Sequence, residues 1–256
     1  MQFRSLRNLI LVCLCLTKTN LQLVADDPES PAAICQEVVS TFSIVAYDSE
    51  LDAWGIGVAS KFLAVGHVVP WAQADSGAIA TQSFANTAYG PRGLRLLKEG
   101  KSAEEVLKDL TDADELRAQR QVGIVDKQGN AATYTGTECL PWCGGKTGDG
   151  YACQGNILTG PEVVDDMAQA FESSEGHFAW RIMAALQAAD DAGGDSRGRQ
   201  SAAILIVKVD AGYGGYNDRM IDFRVDDHPK PIPELARILA LKVEPPVTDD
   251  KTEESE

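Results

Sequence analysis

Asp195, Arg197, Arg199 and Gln200 crowd the stretch between Gly193 and Ser201, where a helical pattern gives way to an apolar run. An arginine fork steadied by an aspartate grips a carboxylate through parallel N–H bonds, so this stretch is a candidate anchor for an acidic or amino-acid-like substrate. The same residues also make an ordinary salt-bridged loop. Asp226-Asp227-His228 could hold a cation, although the Pro229 that follows fits a turn better. The glycine-rich run from Gly144 to Gly155 lacks the spacing of a phosphate loop and reads as a loop or cleft wall. Histidine chemistry has little to draw on, since the chain carries only His67, His177 and His228. Of the six cysteines, Cys13 and Cys15 fall in an N-terminal apolar segment, leaving Cys35, Cys139, Cys143 and Cys153. Their pairing is open, with Cys139 to Cys143 or to Cys153 the most local choices. Zinc is disfavoured, because these cysteines have no nearby histidine and form no CxxC pair. Neither a metal nor a cofactor is expected.

The elements that position these residues follow from hydrophobic periodicity. Thr41 to Tyr47, a polar turn at Asp48 to Asp52, and Trp54 to Ser60 predict a β-hairpin whose strands are apolar or small throughout and so need cover on both faces. Residues 63 to 72 and Gly77 to Gln82 predict two further strands, after which Gly90-Pro91 punctuates the chain. Leu94, Leu96 and Leu97 have helical spacing, and Ser102 with Glu105 forms a capping box for a second helix running to about Leu110. Gln121 to Val125 and Ala131 to Thr135 predict another hairpin. A glycine-rich connection from Gly136 to Gly160 precedes Pro161, which opens a helix over 162–173, and a second helix runs from His177 to Ala192. Ser201 to Val209 is a buried strand by its continuous apolar run, Ile221 to Val225 another, and a short helix follows Pro231. Grouped hairpins on either side of grouped helices predict an α+β fold, and two-faced strands ask for a four-layer αββα sandwich of stacked antiparallel sheets between helix layers.

Composition narrows the function classes. The chain has 256 residues, 44% apolar and 24% charged, enough for one large folded domain with a sizeable core. Its net charge of −15 repels phosphate backbones, which makes nucleic acid an unsuitable partner. Arg4 and Arg7 before the apolar run Leu9 to Leu16, then Leu23-Val24-Ala25 ahead of Asp26, have the layout of a secretory signal over residues 1 to 25. That run is too short to span a bilayer, so no stable membrane anchor is expected, and the mature protein would be secreted or periplasmic. Residues 26 to 40 are acidic and proline-interrupted, a leader or propeptide, and residues 244 to 256 read as a disordered acidic tail.

A set of short motifs carries a resemblance. TFSIVA at Thr41, GVASKFLAVG at Gly57, VPW at Val69, ATQ at Ala80, YGPRG at Tyr89, TGDGY at Thr147, QGNIL at Gln154, GGDSRGRQSA at Gly193 and DDHP at Asp226 together resemble the family called domain of unknown function 1028. The match covers about residues 41 to 242, almost the whole chain beyond the leader. The resemblance implies the N-terminal nucleophile (Ntn) hydrolase fold. In that superfamily the first residue of the mature chain, a Thr, Ser or Cys opening a central strand, is the nucleophile, and its own α-amine is the base.

On that implication Thr41 is the candidate nucleophile. A free α-amine has a pKa of about 7.7 to 8.0, so it accepts the hydroxyl proton without a histidine. Forty residues precede Thr41, and removing a signal near Ala25 would still leave its amine blocked, so a second cut between Ser40 and Thr41 is required. In the implied fold Lys61, just past the end of the second strand, could approach Thr41 and steady anionic charge, or it is a solvated lysine at a strand end. Gln82, Ser83 and Asn86 follow the strand that would flank the site and could donate to an oxyanion or bind substrate, as could Asp195, Arg197 and Gln200. The expected function is hydrolysis of an amide bond in a small, carboxylate-bearing substrate. The alternative is a small-ligand-binding protein that keeps the fold without chemistry. Self-association into a homo-oligomer stays open.

Overall fold

The computed structural model describes residues 38–39 and 41–246. The expected signal run, most of the acidic leader, Cys35 and the end of the acidic tail lie outside the described residues. Antiparallel pairing sorts the strands into two sheets. The larger contains β1 (Thr41–Asp48), β2 (Ala53–Ser60), β7 (Gly144–Gly148), β8 (Tyr151–Asn156), β9 (Ser201–Val207) and β10 (Arg219–Val225), in the order β10-β9-β2-β1-β8-β7. The smaller has β3 (Pro70–Gln73), β4 (Gly77–Ser83), β5 (Arg120–Asp126) and β6 (Ala131–Thr135), in chain order. Helices α3 (Glu162–Ser173), α4 (Phe178–Asp191) and α5 (Pro231–Ala240) cover the outer face of the large sheet, and α1 (Tyr89–Lys98) and α2 (Ala103–Asp112) cover that of the small one. The expected four-layer αββα sandwich is therefore the architecture found.

Strand alternation explains the layers. On β1, Phe42, Ile44 and Ala46 face α3 and α4, while Val45 joins Trp54, Ile56 and Val58 of β2 and Ala78, Ala80 and Val125 of the small sheet in an apolar layer between the sheets. Ile79, Val122 and Ile124 pack outward under α1 and α2. The β1/β2 register pairs Thr41 with Ser60 and Asp48 with Ala53, so the hairpin read from sequence is in place. The capping box on α2 is also present, with Ser102 Oγ accepting from Glu105 N at 3.3 Å and Glu105 Oε2 accepting from Ser102 N at 2.9 Å.

Three sequence expectations need correction. Residues 63 to 72 are mostly turn and 3-10 helix, and only Pro70–Gln73 is strand. The apolar run there reflects burial of Val65 and Val69 in a turn, because burial alone does not fix backbone conformation. Gly90-Pro91 does not break the chain but lies in the first turn of α1, where proline costs no helical bond and a Cβ on Gly90 would lie 2.1 Å from the Trp71 indole. The glycine-rich connection holds an entire hairpin, β7/β8, whose second strand pairs directly with β1. Among the described residues no helix is long and apolar enough to cross a membrane.

Gly55 and Gly57 bring α4 close against β2. A Cβ on Gly57 would come within 2.5 Å of Ile182 Cγ2 and 3.1 Å of Leu186 Cδ1. Gly57→Ala is expected to destabilise the fold by about 1–3 kcal/mol through overpacking, read as a lower urea midpoint at unchanged slope. An unshifted midpoint would contradict this packing.

Candidate functional site

Thr41 opens β1 at one end of the large sheet, paired with Ser60 at the end of β2 and with Asn156 at the end of β8. It is fully buried. Its hydroxyl donates to the Val39 carbonyl at 3.0 Å and lies 3.3 Å from Ser60 Oγ. At this end of the sandwich the layer between the sheets turns from apolar to polar. Ser43 Oγ donates to Gln82 Oε1 at 2.5 Å, and Gln154 Nε2 donates to Ser43 Oγ at 2.7 Å. Gln82 Nε2 donates to Thr41 O at 3.3 Å and to Gln121 Oε1 at 2.9 Å, an oxygen that also accepts from Asn156 Nδ2 at 2.9 Å. Gln121 Nε2 in turn donates to Gly155 O at 2.7 Å and Thr135 Oγ1 at 2.9 Å. These four amide side chains are neutral, fully buried and drawn from both sheets, so they tie β1 and β8 to β4 and β5 directly beneath Thr41.

Two ion pairs brace the surroundings. Asp195 is buried, and its carboxylate accepts from Lys61 N at 2.8 Å, Arg197 N at 3.0 Å, Arg197 Nε at 3.2 Å and Arg197 Nη2 at 3.0 Å. Arg197 Nη2 also donates to Lys61 O at 3.1 Å, so the pair clamps both backbone groups of the residue after Ser60. Across the sandwich, buried Arg120 donates through Nε to Asp114 at 2.9 Å and through Nη1 to Phe84 O at 2.6 Å. Asp114 also accepts from Asn86 Nδ2 at 2.8 Å, Tyr89 OH at 2.9 Å and Leu116 N at 2.9 Å. Burial pushes the Asp114 carboxyl up, but Arg120, Asn86, the Leu116 amide and Tyr89 outweigh it and hold the pKa at about 2. Burial and the same carboxylate drive the Tyr89 phenol upward.

Ser83, the last residue of β4, adopts φ +66°, unusual for a residue with a Cβ. Its backbone forms a two-bond antiparallel bridge to Val39, with Val39 N donating to Ser83 O at 2.7 Å and Ser83 N to Val39 O at 3.0 Å. Its buried hydroxyl makes no hydrogen bond, and the Cys139 thiol lies beside it without bonded geometry.

A model of the family of unknown function DUF1028 matches residues 41–235. The chain belongs to this family. The crystal structure of a Silicibacter pomeroyi protein matched by the same family model is similar at 34% identity and TM-score 0.73, over 80% of this chain and 88% of that one. An ancestral β-subunit (Anbu) from Yersinia bercovieri aligns at 11% identity and TM-score 0.34, over 81% of this chain and 99% of that one, a likeness too distant to carry an argument. A comparison with curated proteins returns no match.

In this DUF1028 chain the residues singled out from sequence gather at one end of the sandwich, in different roles. Lys61 follows the partner strand of β1, yet its side chain is exposed and its ammonium reaches the Arg199 carbonyl at 3.5 Å. Gln82 lies in the polar layer with both ends of its amide engaged. Asn86 spends its amide on Asp114 and on Ala88 N, which bonds its Oδ1 at 3.1 Å. Arg197 has Nε and Nη2 bound to Asp195 and Nη2 also to Lys61 O, while Arg199 pairs with Asp190 at 2.6 Å. Gln200 bonds Ser60 O through its backbone at 3.0 Å and Asp227 through its side chain at 3.2 Å. The Asp226-Asp227-His228 stretch is irregular backbone with a bend, His228 N donating to Gln200 O at 2.7 Å and His228 Nδ1 accepting from Lys230 N at 3.0 Å, and no metal-binding group is found among the described residues.

Neither local disulfide forms, and Cys139, Cys143 and Cys153 are free thiols. Cys153 faces the α3 side of the large sheet, where burial raises its pKa, while Cys139 bonds Arg120 O at 3.3 Å. Ser60, Gln121, Gln154 and Asn156 escaped the sequence reading. The register opposite Thr41 would have found Ser60, but Gln154 and Asn156 needed β8 itself.

The depressed Asp114 pKa sets a direction in pH. Its stabilisation is complete above the unfolded carboxyl pKa of about 3.9 and is lost as pH falls through about 2. Asp114→Asn leaves Arg120 buried and unpaired, so it is expected to cost about 3 kcal/mol at pH 7, with the gap to wild type narrowing as pH falls from 4 to 2. Urea midpoints measured across that range would check it; a gap independent of pH would contradict it.

Proposed function

We propose that this chain is the precursor of an amide hydrolase of the Ntn type, with Thr41 as nucleophile once the residues before it are removed. The observation that carries the reading is Thr41 itself: a hydroxyl at the first position of a central strand, at the point where the family match begins, set on a polar layer shared by both sheets. In the processed chain the Thr41 α-amine takes the hydroxyl proton as Oγ1 bonds to the substrate carbonyl carbon. Collapse of the adduct breaks the C–N bond, and the ammonium returns the proton to the departing amine. Water then hydrolyses the Thr41 ester by the same amine, releasing the acid. While Ser40 remains attached, the amine is an amide and no base is present. Export through residues 1 to 25 belongs to the same proposal, with removal of the leader as the activating step.

A second reading, a ligand-binding protein without chemistry, is favoured by one feature: the Thr41 hydroxyl is hydrogen-bonded to a carbonyl and beside a hydroxyl, while Lys61 turns toward Arg199. The arms separate by mutation. Protein from its native host, assayed against N-acyl amino acid amides and short peptides, should lose about a thousandfold or more in kcat on Thr41→Ala and keep a measurable rate on Thr41→Ser. The rate should rise with pH through about 8 as the amine deprotonates. A Thr41→Ala protein with wild-type turnover would sink the hydrolase reading.

A further inference from the structure

Val39 is tied into the sandwich as firmly as a strand residue. Three hydrogen bonds reach its backbone: its N–H donates to Ser83 O at 2.7 Å, and its carbonyl accepts from Ser83 N and Thr41 Oγ1, both at 3.0 Å. Val39 as a residue is 3% exposed and joins the apolar layer between the sheets. The partner residue is unusual. Ser83 carries a positive φ and a fully buried hydroxyl with no hydrogen bond, and it is braced from behind by the Arg120 guanidinium on Phe84 O. A strained backbone conformation held by its surroundings is a common mark of a binding position.

We propose that the place filled by Val39 is the acyl-side substrate subsite, and that Ser83 reads a peptide-like ligand there by backbone pairing. This rests on the hydrolase reading above. The class of ligand follows from what Val39 supplies: one N–H, one carbonyl and a small branched apolar side chain, one residue before the residue whose carbonyl would be attacked. The substrate is then an N-acylated dipeptide unit or longer in extended conformation, paired to a single strand end as in strand addition. Ser83 Oγ is a third polar group available to it. A lone carboxylate-bearing amino acid would leave both Ser83 backbone groups unmatched, and Arg197 is already bound to Asp195 and Lys61. While the leader stays attached, it fills this subsite intramolecularly at an effective concentration of about millimolar, so it also blocks it.

Binding separates the subsite from the chemistry. In a full-length Thr41→Ala chain, which has no nucleophile and keeps its leader, Val39→Asp should expel the leader by placing a charge in the apolar layer. A fluorophore-labelled acetyl-Gln-Glu-Val-Val-Ser amide should then bind saturably, by anisotropy, and about tenfold or more weakly to the chain with Val39 intact. The same peptide with aspartate for its second valine should also bind about tenfold or more weakly. Val39→Gly serves as a second way to empty the place. With no second substitution, hydrogen exchange at the Val39 amide of the Thr41→Ala chain should be at least about a hundredfold slower than in an unstructured peptide. Exchange at the unstructured rate, a folded emptied chain that does not bind, or equal binding of both peptides would overturn the proposal. Binding here with no turnover by the wild-type protein would sink the hydrolase reading alone, and turnover without this binding would sink the subsite alone.

Discussion

The need to satisfy buried amides between two sheets governs this end of the molecule. Gln82 and Gln121 come from the small sheet and Gln154 and Asn156 from the large one, and all are out of water. Each strands a polar group at a cost of about 1–3 kcal/mol if its partner shifts. The network therefore fixes how the sheets sit on one another where an apolar layer would tolerate sliding, and the Gln82 bond to Thr41 O places the start of β1 within that fixed frame. Because the members are neutral, the layer holds position without setting a charge beside Thr41. On the proposed hydrolase reading the base then has to be the α-amine that processing would create.

The flanking ion pairs extend the same constraint outward. Asp195 and Arg197 hold the backbone of Lys61 and so the end of β2 with Ser60, while Asp114 and Arg120 hold Phe84 and so the end of β4 with Ser83. These charges fix the end of β2 that pairs with Thr41 and the end of β4 that pairs with Val39. Val39 bridges to the Ser83 end and accepts a hydrogen bond from the Thr41 hydroxyl, and Thr41 is fully buried.

Much of this was legible in the sequence because local rules and tertiary demands agree. Thr41 to Ser60 runs apolar or small on both sides of a polar turn, Ser102 with Glu105 caps α2, and Pro161 opens α3, each a signal contained within a few residues. β8 was not legible. Its residues, Tyr-Ala-Cys-Gln-Gly-Asn, lack an apolar alternation because one face carries Gln154 and Asn156 into the polar layer. A strand whose buried face is polar looks like a loop until its partners across the sandwich are known. Spacing sets Lys61 and Asn86 just beyond the ends of β2 and β4, but side-chain direction depends on competitors, the Arg199 carbonyl and Asp114, that no spacing rule reveals.

The account turns on the identity of the residue that begins the mature chain. Intact mass and N-terminal sequencing of active protein purified from its native host test this directly. The proposed reading requires a chain that starts at Thr41 with a free amine. Fully active protein in which Ser40 still precedes Thr41 would contradict it, since the amide nitrogen of that bond cannot act as the base.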